Sequence, residues 1–315
     1  MLFTEFDRPV FKILPKNDTG GASGHQAGFL VPRDLKNYFP VMPPTSAAKP
    51  AVYREISAAL FVNDSSLGVV RTNYQHQTWA GTRTAERRVT GGLATWLAQA
   101  NKGDVLLIEQ SLTDELFYRF TICKAGSAAH ARIASQIGSR RWGVLLTSDP
   151  PVAAVDEAHA ATEQAAHEAA PFLDLFDNDA VLTETRVRRI ARARVFQRRV
   201  SEVYGGRCAV CGGGLHTSHG KSEVEAAHIV PRSLKGADDI RNGLALCRTH
   251  HWAFDNGLFG IKDGLVYLPS VVASRPENAD LVAFSGKKLR APTHGAAAPA
   301  QAALEWHFRE IVIRW

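Results

Sequence analysis

A chain of 315 residues has room for about two domains of roughly 150 residues each. Its hydrophobic share of 45% and charged share of 22% exclude a wholly disordered polymer. No apolar run approaches the ~18 residues that a membrane helix needs. The opening MLFTEFDRPVFKIL carries Glu5 and Asp7 where a secretory signal would be purely apolar, so a cytoplasmic location is expected. The four cysteines, Cys123, Cys208, Cys211 and Cys247, are too few and too scattered for a secreted disulfide scaffold.

The formal charge of +6 hides a separation. No Lys or Arg lies between Asp149 and Leu182, whereas eight of the 31 acidic residues do, leaving 23 against 37 basic residues elsewhere. Such a separation suits a polyanionic partner for the flanking parts.

Residues 1–148 read as mostly β. Short apolar runs at 28–31, 60–62, 68–70, 105–108 and 116–121 are separated by Gly, Pro, Asn and Asp. Helical pieces are predicted over 32–38, 92–100 and 128–137. Strands with a few short helices predict a barrel or sandwich with helical caps. Two polar stretches interrupt this pattern. The first, from Asn17 to Pro32, is rich in glycine and includes Ser23, His25 and Gln26. An arm with so little to bury is suited to binding a ligand. The second runs from Thr82 to Arg88 and holds Arg83, Glu86, Arg87 and Arg88. In a DNA major groove Arg reads guanine and Glu accepts from cytosine. Cys123, within FTICKAG, reads as a small buried residue.

Residues 149–180 form an acidic, Ala-rich linker. The stretch PPVAAVDEAHAATEQAAHEAAP is bounded by prolines, and its composition predicts a helical or semi-rigid spacer. A helix follows over Thr185–Tyr204. Val187, Ile190, Ala193, Phe196, Val200 and Val203 form its apolar stripe, and Gly205 and Gly206 stop it. Seven arginines clothe this helix with almost no acids beside them in sequence, which points to phosphate contact, with Arg188 and Arg192 among the candidates.

The remainder, within 181–315, carries the chemistry. Cys208 and Cys211 stand on a tight knuckle, RCAVCGGG, and Cys247 and His250 follow 36 positions later. Two such pairs make a four-ligand set suited to structural Zn2+. His216 and His219 in the intervening loop are the rival ligands. An extended run around Glu225-Ala-Ala-His228, a loop, and a second run from Asn242 lead into a helix starting near Cys247. Adjacent helical residues point ~100° apart, so His250 and His251 cannot easily serve one ion. His251 turns away and shares a face with Asp255. One helix can thus carry a closed structural metal on one side and an open catalytic metal on the other.

The segment AAHI…NGLALC..HH..FD resembles the HNH, or ββα-metal, nucleases in their zinc-bound branch, closely over 186–263. The resemblance implies metal-assisted phosphodiester hydrolysis that leaves 5′-phosphate and 3′-hydroxyl ends. It makes His228 the general base, Asn242 a brace for the loop that orients it, and His251 with Asp255 the ligands of a catalytic divalent ion. Many such enzymes place Asp or His just before the base. Here Ala227 stands there, Glu225 shares its strand face, and the choice among Mg2+, Mn2+ and Ni2+ is open. The two arms, followed by Asn73-Tyr74 and Glu86-Arg87-Arg88-Val89-Thr90, resemble the amino-terminal recognition domain of EcoRII-type restriction endonucleases, a DNA-binding pseudobarrel. Carried over, Asn17, Ser23, His25 and Gln26 lie on one arm, and Arg83, Glu86, Arg87 and Arg88 on the other. Thr84 departs from the basic residue usual at its position.

The fold class expected is therefore α+β, a β-rich pseudobarrel followed by a zinc-bound ββα-metal domain. The function expected is that of a type II restriction endonuclease acting on double-stranded DNA, as a homodimer and alongside a possible cognate methyltransferase. A modification-dependent nuclease and a zinc-stabilised DNA-binding protein without activity are the rival readings.

Overall fold

The computed structural model describes residues 6–19, 28–172, 174–177, 185–217 and 222–313. The chain divides into two compact units, 1–156 and 157–315. The fold is mixed α+β.

The first unit is built on one eight-stranded sheet. Its strands are β1 (Val10–Ile13), β2 (Gly28–Val31), β3 (Ala51–Val62), β4 (Ser65–Gln77), β5 (Glu86–Thr90), β6 (Val105–Gln110), β7 (Phe117–Cys123) and β8 (Trp142–Val144). Their order is β2-β5-β4-β3-β7-β6-β1-β8. The β3–β7 pair is parallel and its neighbours are antiparallel. The β3–β4 hairpin turns on Asn63-Asp64, with Asn63 in the left-handed region at φ 49°, which Asn tolerates better than most residues. One face packs Phe29, Tyr74, Trp96, Tyr118 and Phe120. The Phe39 ring stacks on Tyr74 at 4.7 Å and on Tyr118 at 5.3 Å. Short helix α1 (Ala94–Leu97) supplies Trp96 and Leu97 to this core. Helix α2 (Ala128–Ile137), capped by Ser127, sets Ile133 and Ile137 against Phe11, Val105 and Cys123 on a second core. Burial pushes the Cys123 thiol up to about 11.

The predicted strands 60–62 and 68–70 are the inner ends of a much longer hairpin. Strands β3 and β4 continue through polar, half-exposed residues, because ladder hydrogen bonds extend a strand where side-chain pattern is silent.

The Ala-rich tract is helix α3 (Ala154–Ala169), and the division between the units falls inside it. Helix α4 (Arg186–Val203) follows, its Thr185 side chain accepting from the Arg188 amide. The buried face of α4 differs from the expected stripe. Ala193 is exposed, whereas Arg194 is buried together with Ala191, Val195, Phe196, Val200 and Val203. Arg194 turns inward because Glu157 of α3 receives it at 2.9 Å.

The acids missing beside α4 in sequence are supplied from the acidic tract. Glu163 meets Arg188 at 2.5 Å and Glu168 meets Arg199 at 2.7 Å. The expectation that these arginines lack acidic partners is thereby corrected.

Strands β9 (Glu225–His228) and β10 (Gly243–Leu246) then form an antiparallel ribbon pairing His228 with Gly243. Helix α5 (Arg248–Asp255) follows directly. The ribbon β11 (Gly260–Lys262) and β12 (Leu265–Tyr267), short helices α6 (Ser270–Ala273) and α7 (Ala279–Val282), and α8 (Gln301–His307) complete the unit. Its core gathers Phe196, Val200, Leu244, Leu246, Phe254, Phe259 and Leu304. Gly243 is where helix and ribbon meet. A Cβ there would lie 2.6 Å from Val200 Cγ2 and 3.0 Å from Phe196 Cζ, so only glycine lets α4 approach so closely. Among the described residues no helix is long and apolar enough to cross a membrane.

Candidate active site and metal centre

The knuckle and the start of α5 bring four ligand atoms together. Cys208, Cys211, Cys247 and His250 place theirs within 4.8 Å of one another. Backbone bonds close the knuckle: the Cys208 amide donates to Gly213 O and the Gly212 amide to Cys208 O, both at 2.8 Å. Cys247 is the N-cap of α5, and His250 lies one turn on. The His250 Nδ1 is 3.0 Å from Cys247 Sγ and 3.5 Å from Cys208 Sγ. The bond from Cys247 draws the Cys208 thiol down against the cost of burial, with His250 assisting, while the Cys247 thiol is pushed up. Three thiols and an imidazole, mostly buried and converging on one point, fit tetrahedral zinc, and the cluster can hold a metal such as zinc. His216 is exposed and bonds Gly214 O; His219 lies outside the described residues.

His251 lies against a different set. Its Nδ1 is 3.0 Å from Glu225 Oε2 and its Nε2 is 3.4 Å from Asp255 Oδ2. Burial opposes a charged His251, but the bond to Glu225 and the charges of Asp255 and Glu225 outweigh it and raise its pKa. Glu225 is held below the usual carboxylate range, chiefly by that bond. Burial lifts the pKa of Asp255, opposed by the charges of both His251 and His228. Asp255 thus sits within electrostatic reach of both imidazoles.

His228 ends β9 with its ring stacked on Phe196 of α4 at 4.0 Å and 14°. Its Nε2 is 2.8 Å from Asp238 Oδ1. Asn242 is fully buried and bonds backbone. It accepts from the Val230 amide at 2.8 Å and donates to Ala237 O at 2.9 Å. These bonds pin the loop between the two strands, and the same loop carries Asp238. Ala227 is buried opposite Leu244 in the ribbon.

In the first unit, Asn17, Arg83, Glu86 and Arg88 line one cavity of about 670 Å³, together with Lys12, Gln75, Gln77 and Trp79. Glu86, Arg87 and Arg88 belong to strand β5 rather than to a loop. Arg87 pairs across with His76, whereas Glu86 and Arg88 pair with Gln77 and Gln75, so strand alternation sends Arg87 to the opposite face. Arg88 Nε is buried with no hydrogen-bond partner among the described residues. The Arg83 guanidinium lies 5.2 Å from the Trp79 ring centroid. Ser23, His25 and Gln26 lie outside the described residues. On α4, Arg188 is 60% exposed and Arg192 only 11%, the latter reaching Asp177 at 3.1 Å and Asp238 at 3.0 Å.

Sequence reasoning missed Asp238. It falls in no recognised spacing, and the one available signal is a doubled acid in a loop that a buried Asn must close.

Comparison with known proteins gives a family match within the second unit. Residues 208–262 match a family model described as HNH endonuclease, and this stretch is an HNH endonuclease domain with a cluster able to bind metal. A solved structure described as a modification dependent TagI restriction endonuclease is similar at 27% identity, with a TM-score of 0.30. The similarity covers 37% of this chain and 37% of that one. No curated protein matches the chain.

Proposed function

We propose that the protein is a metal-dependent endonuclease that hydrolyses double-stranded DNA, a restriction enzyme of type II. The observation that supports this best is that one short helix carries His250 into the Cys208, Cys211 and Cys247 cluster and His251 beside Asp255, inside a stretch matched as an HNH endonuclease. His228 acts as general base, taking a proton from the water that attacks phosphorus. Cys208, Cys211, Cys247 and His250 hold a structural zinc. The donor set of His251 and Asp255 suits a hard or borderline divalent ion such as Mg2+, Mn2+ or Ni2+. When bound, such an ion stabilises charge on the phosphorane and the leaving 3′ oxygen. Glu225 holds the other nitrogen of His251 and fixes the direction in which Nε2 points. Asn242 braces the loop. No acidic residue replaces Ala227, so the protein offers few direct ligands and metal affinity is modest.

The first unit is read as a recognition domain of the EcoRII-type pseudobarrel kind. Asn17, Arg83, Glu86 and Arg88 gather at its cavity, Ser23, His25 and Gln26 are read as completing the set, and Arg87, on the opposite face of β5, is not part of that cavity. A homodimer would cut both strands, and a methyltransferase acting on the same site would be its natural companion.

The test is digestion of matched methylated and unmethylated plasmid by the purified protein with Mg2+ or Mn2+, followed by sequencing of the ends. Cutting at a fixed site with 5′-phosphate ends is expected. Cutting restricted to methylated DNA would make the enzyme modification-dependent. Plasmid that is bound but left intact would overturn the nuclease reading in favour of a zinc-stabilised DNA-binding protein.

A further inference from the structure

Beside the imidazole assigned as general base lies a group of four charges that the reaction as described does not use, three of them largely buried and the fourth, Arg232, 30% exposed. Asp238 and Asp177 have side chains only 4% and 7% exposed, and Arg192 11%. Arg192 reaches both carboxylates, at 3.0 and 3.1 Å. Arg232 also bonds Asp177, donates to Gly236 O at 2.7 Å, and lies 3.6 Å from Asp238. Two guanidiniums and two carboxylates cancel, so the group tolerates burial where a lone charge would not. Asp238 still has one oxygen directed away from the arginines, and His228 Nε2 meets it at 2.8 Å.

An ionised carboxylate only accepts hydrogen bonds. The bond therefore needs a proton on His228 Nε2, and an imidazole with a single proton then keeps the lone pair on Nδ1. Burial works against ionisation of Asp238, but the bond from His228 and the charges of Arg232 and Arg192 outweigh it and hold the carboxyl below the usual range. The Phe196 stack restricts the ring's tilt, and the bonds of Asn242 to Val230 and Ala237 pin the loop that carries Asp238. Gly236 is required there, because a Cβ would fall 1.8 Å from Val230 O.

We propose that Asp238 is the positioning residue of His228, selecting its Nε2–H tautomer and leaving Nδ1 as the basic atom, and that Arg192 and Arg232 serve this carboxylate rather than a DNA phosphate. The proposal rests on His228 being the base. No atom of Asp238 need touch the substrate. As Nδ1 takes the proton from water, the imidazole becomes a cation, and the carboxylate on its far side stabilises that charge.

The decisive variant is Asp238→Asn in the full-length protein, which preserves size. Its amide can donate as well as accept, so the tautomer is no longer selected. Single-turnover cleavage at saturating DNA is expected to fall by about 10²-fold, with zinc content and DNA affinity unchanged. Imidazole 15N spectra of the native protein should show His228 protonated on Nε2, and the variant should show a mixture. Native spectra with the proton on Nδ1 would overturn the proposal. Cleavage by the Asn variant at the native rate, or a loss of zinc and DNA binding together with activity, would also overturn it. His228→Ala separates the two levels. If that variant cuts normally the base assignment itself fails, whereas a dead His228→Ala beside a fully active Asp238→Asn removes only the role of Asp238.

Discussion

The two units reach stability by different physical routes. The first has eight strands in one sheet and an aromatic core of Phe29, Tyr74, Trp96, Tyr118 and Phe120. It can be held by burial and ladder bonds alone. Among the described residues the second has two ribbons of two strands each, and an isolated two-stranded ribbon is marginal in water. There the Cys/His cluster ties the knuckle to the start of α5, and ion pairs between α3 and α4 take up charge that would otherwise repel. Within that unit the contrast repeats on a smaller scale. One side of α5 presents His250 to three thiols, while the other presents His251 to half-exposed Glu225 and Asp255. A closed donor set suits a structural ion, and an open one suits an ion that must meet substrate.

The largest effect expected from this contrast is selective unfolding. Cys211→Ser should lose zinc and, because structural zinc binding is itself folding free energy, amide-exchange protection should vanish from β9, β10 and α5. Strands β3 and β7 should keep theirs. Retained protection across the second unit would show that its core suffices without the metal.

A smaller and more specific effect separates the faces of α5. His251→Ala should reduce cleavage by about 10²-fold with zinc content unchanged. Glu225→Gln, at a residue that meets the far nitrogen of His251 and also the Arg248 guanidinium, should weaken divalent-ion affinity by about tenfold. Equal losses in the two variants would place Glu225 among the direct ligands.

The smallest effect concerns acid. Burial opposes ionisation of Asp104, but bonds from the Ala125 amide, Lys124 and the Asn101 amide outweigh it and hold the carboxyl below 3.8. A depressed folded pKa stabilises above the unfolded value and ceases to do so as pH falls through the folded one. Asp104→Asn should therefore destabilise the first unit at neutral pH, with the gap to the native protein closing below about pH 3.8. A gap independent of pH would mean that the charge contributes nothing.

The site was more legible in sequence than the fold around it. Knuckles, helix ends and the step between His250 and His251 are short-range consequences of backbone geometry. Charge pairing between α3 and α4 was hidden because the partners lie 25–41 positions apart, although one segment's acids and the next segment's arginines complement each other. Arg194 was hidden by its type, since a buried arginine breaks an apolar stripe until its carboxylate is seen. The polar outer halves of β3 and β4 carry no side-chain alternation strong enough to announce them. Asp238 depends on a loop closing in three dimensions through Gly236 and Asn242, a closure that no spacing encodes.

The central claim is that His228 is the proton acceptor in phosphodiester hydrolysis. Single-turnover cleavage by His228→Ala, measured beside its zinc content and DNA affinity, tests it most directly. Abolished cutting with zinc and binding intact is the predicted result; cutting at the native rate would contradict it.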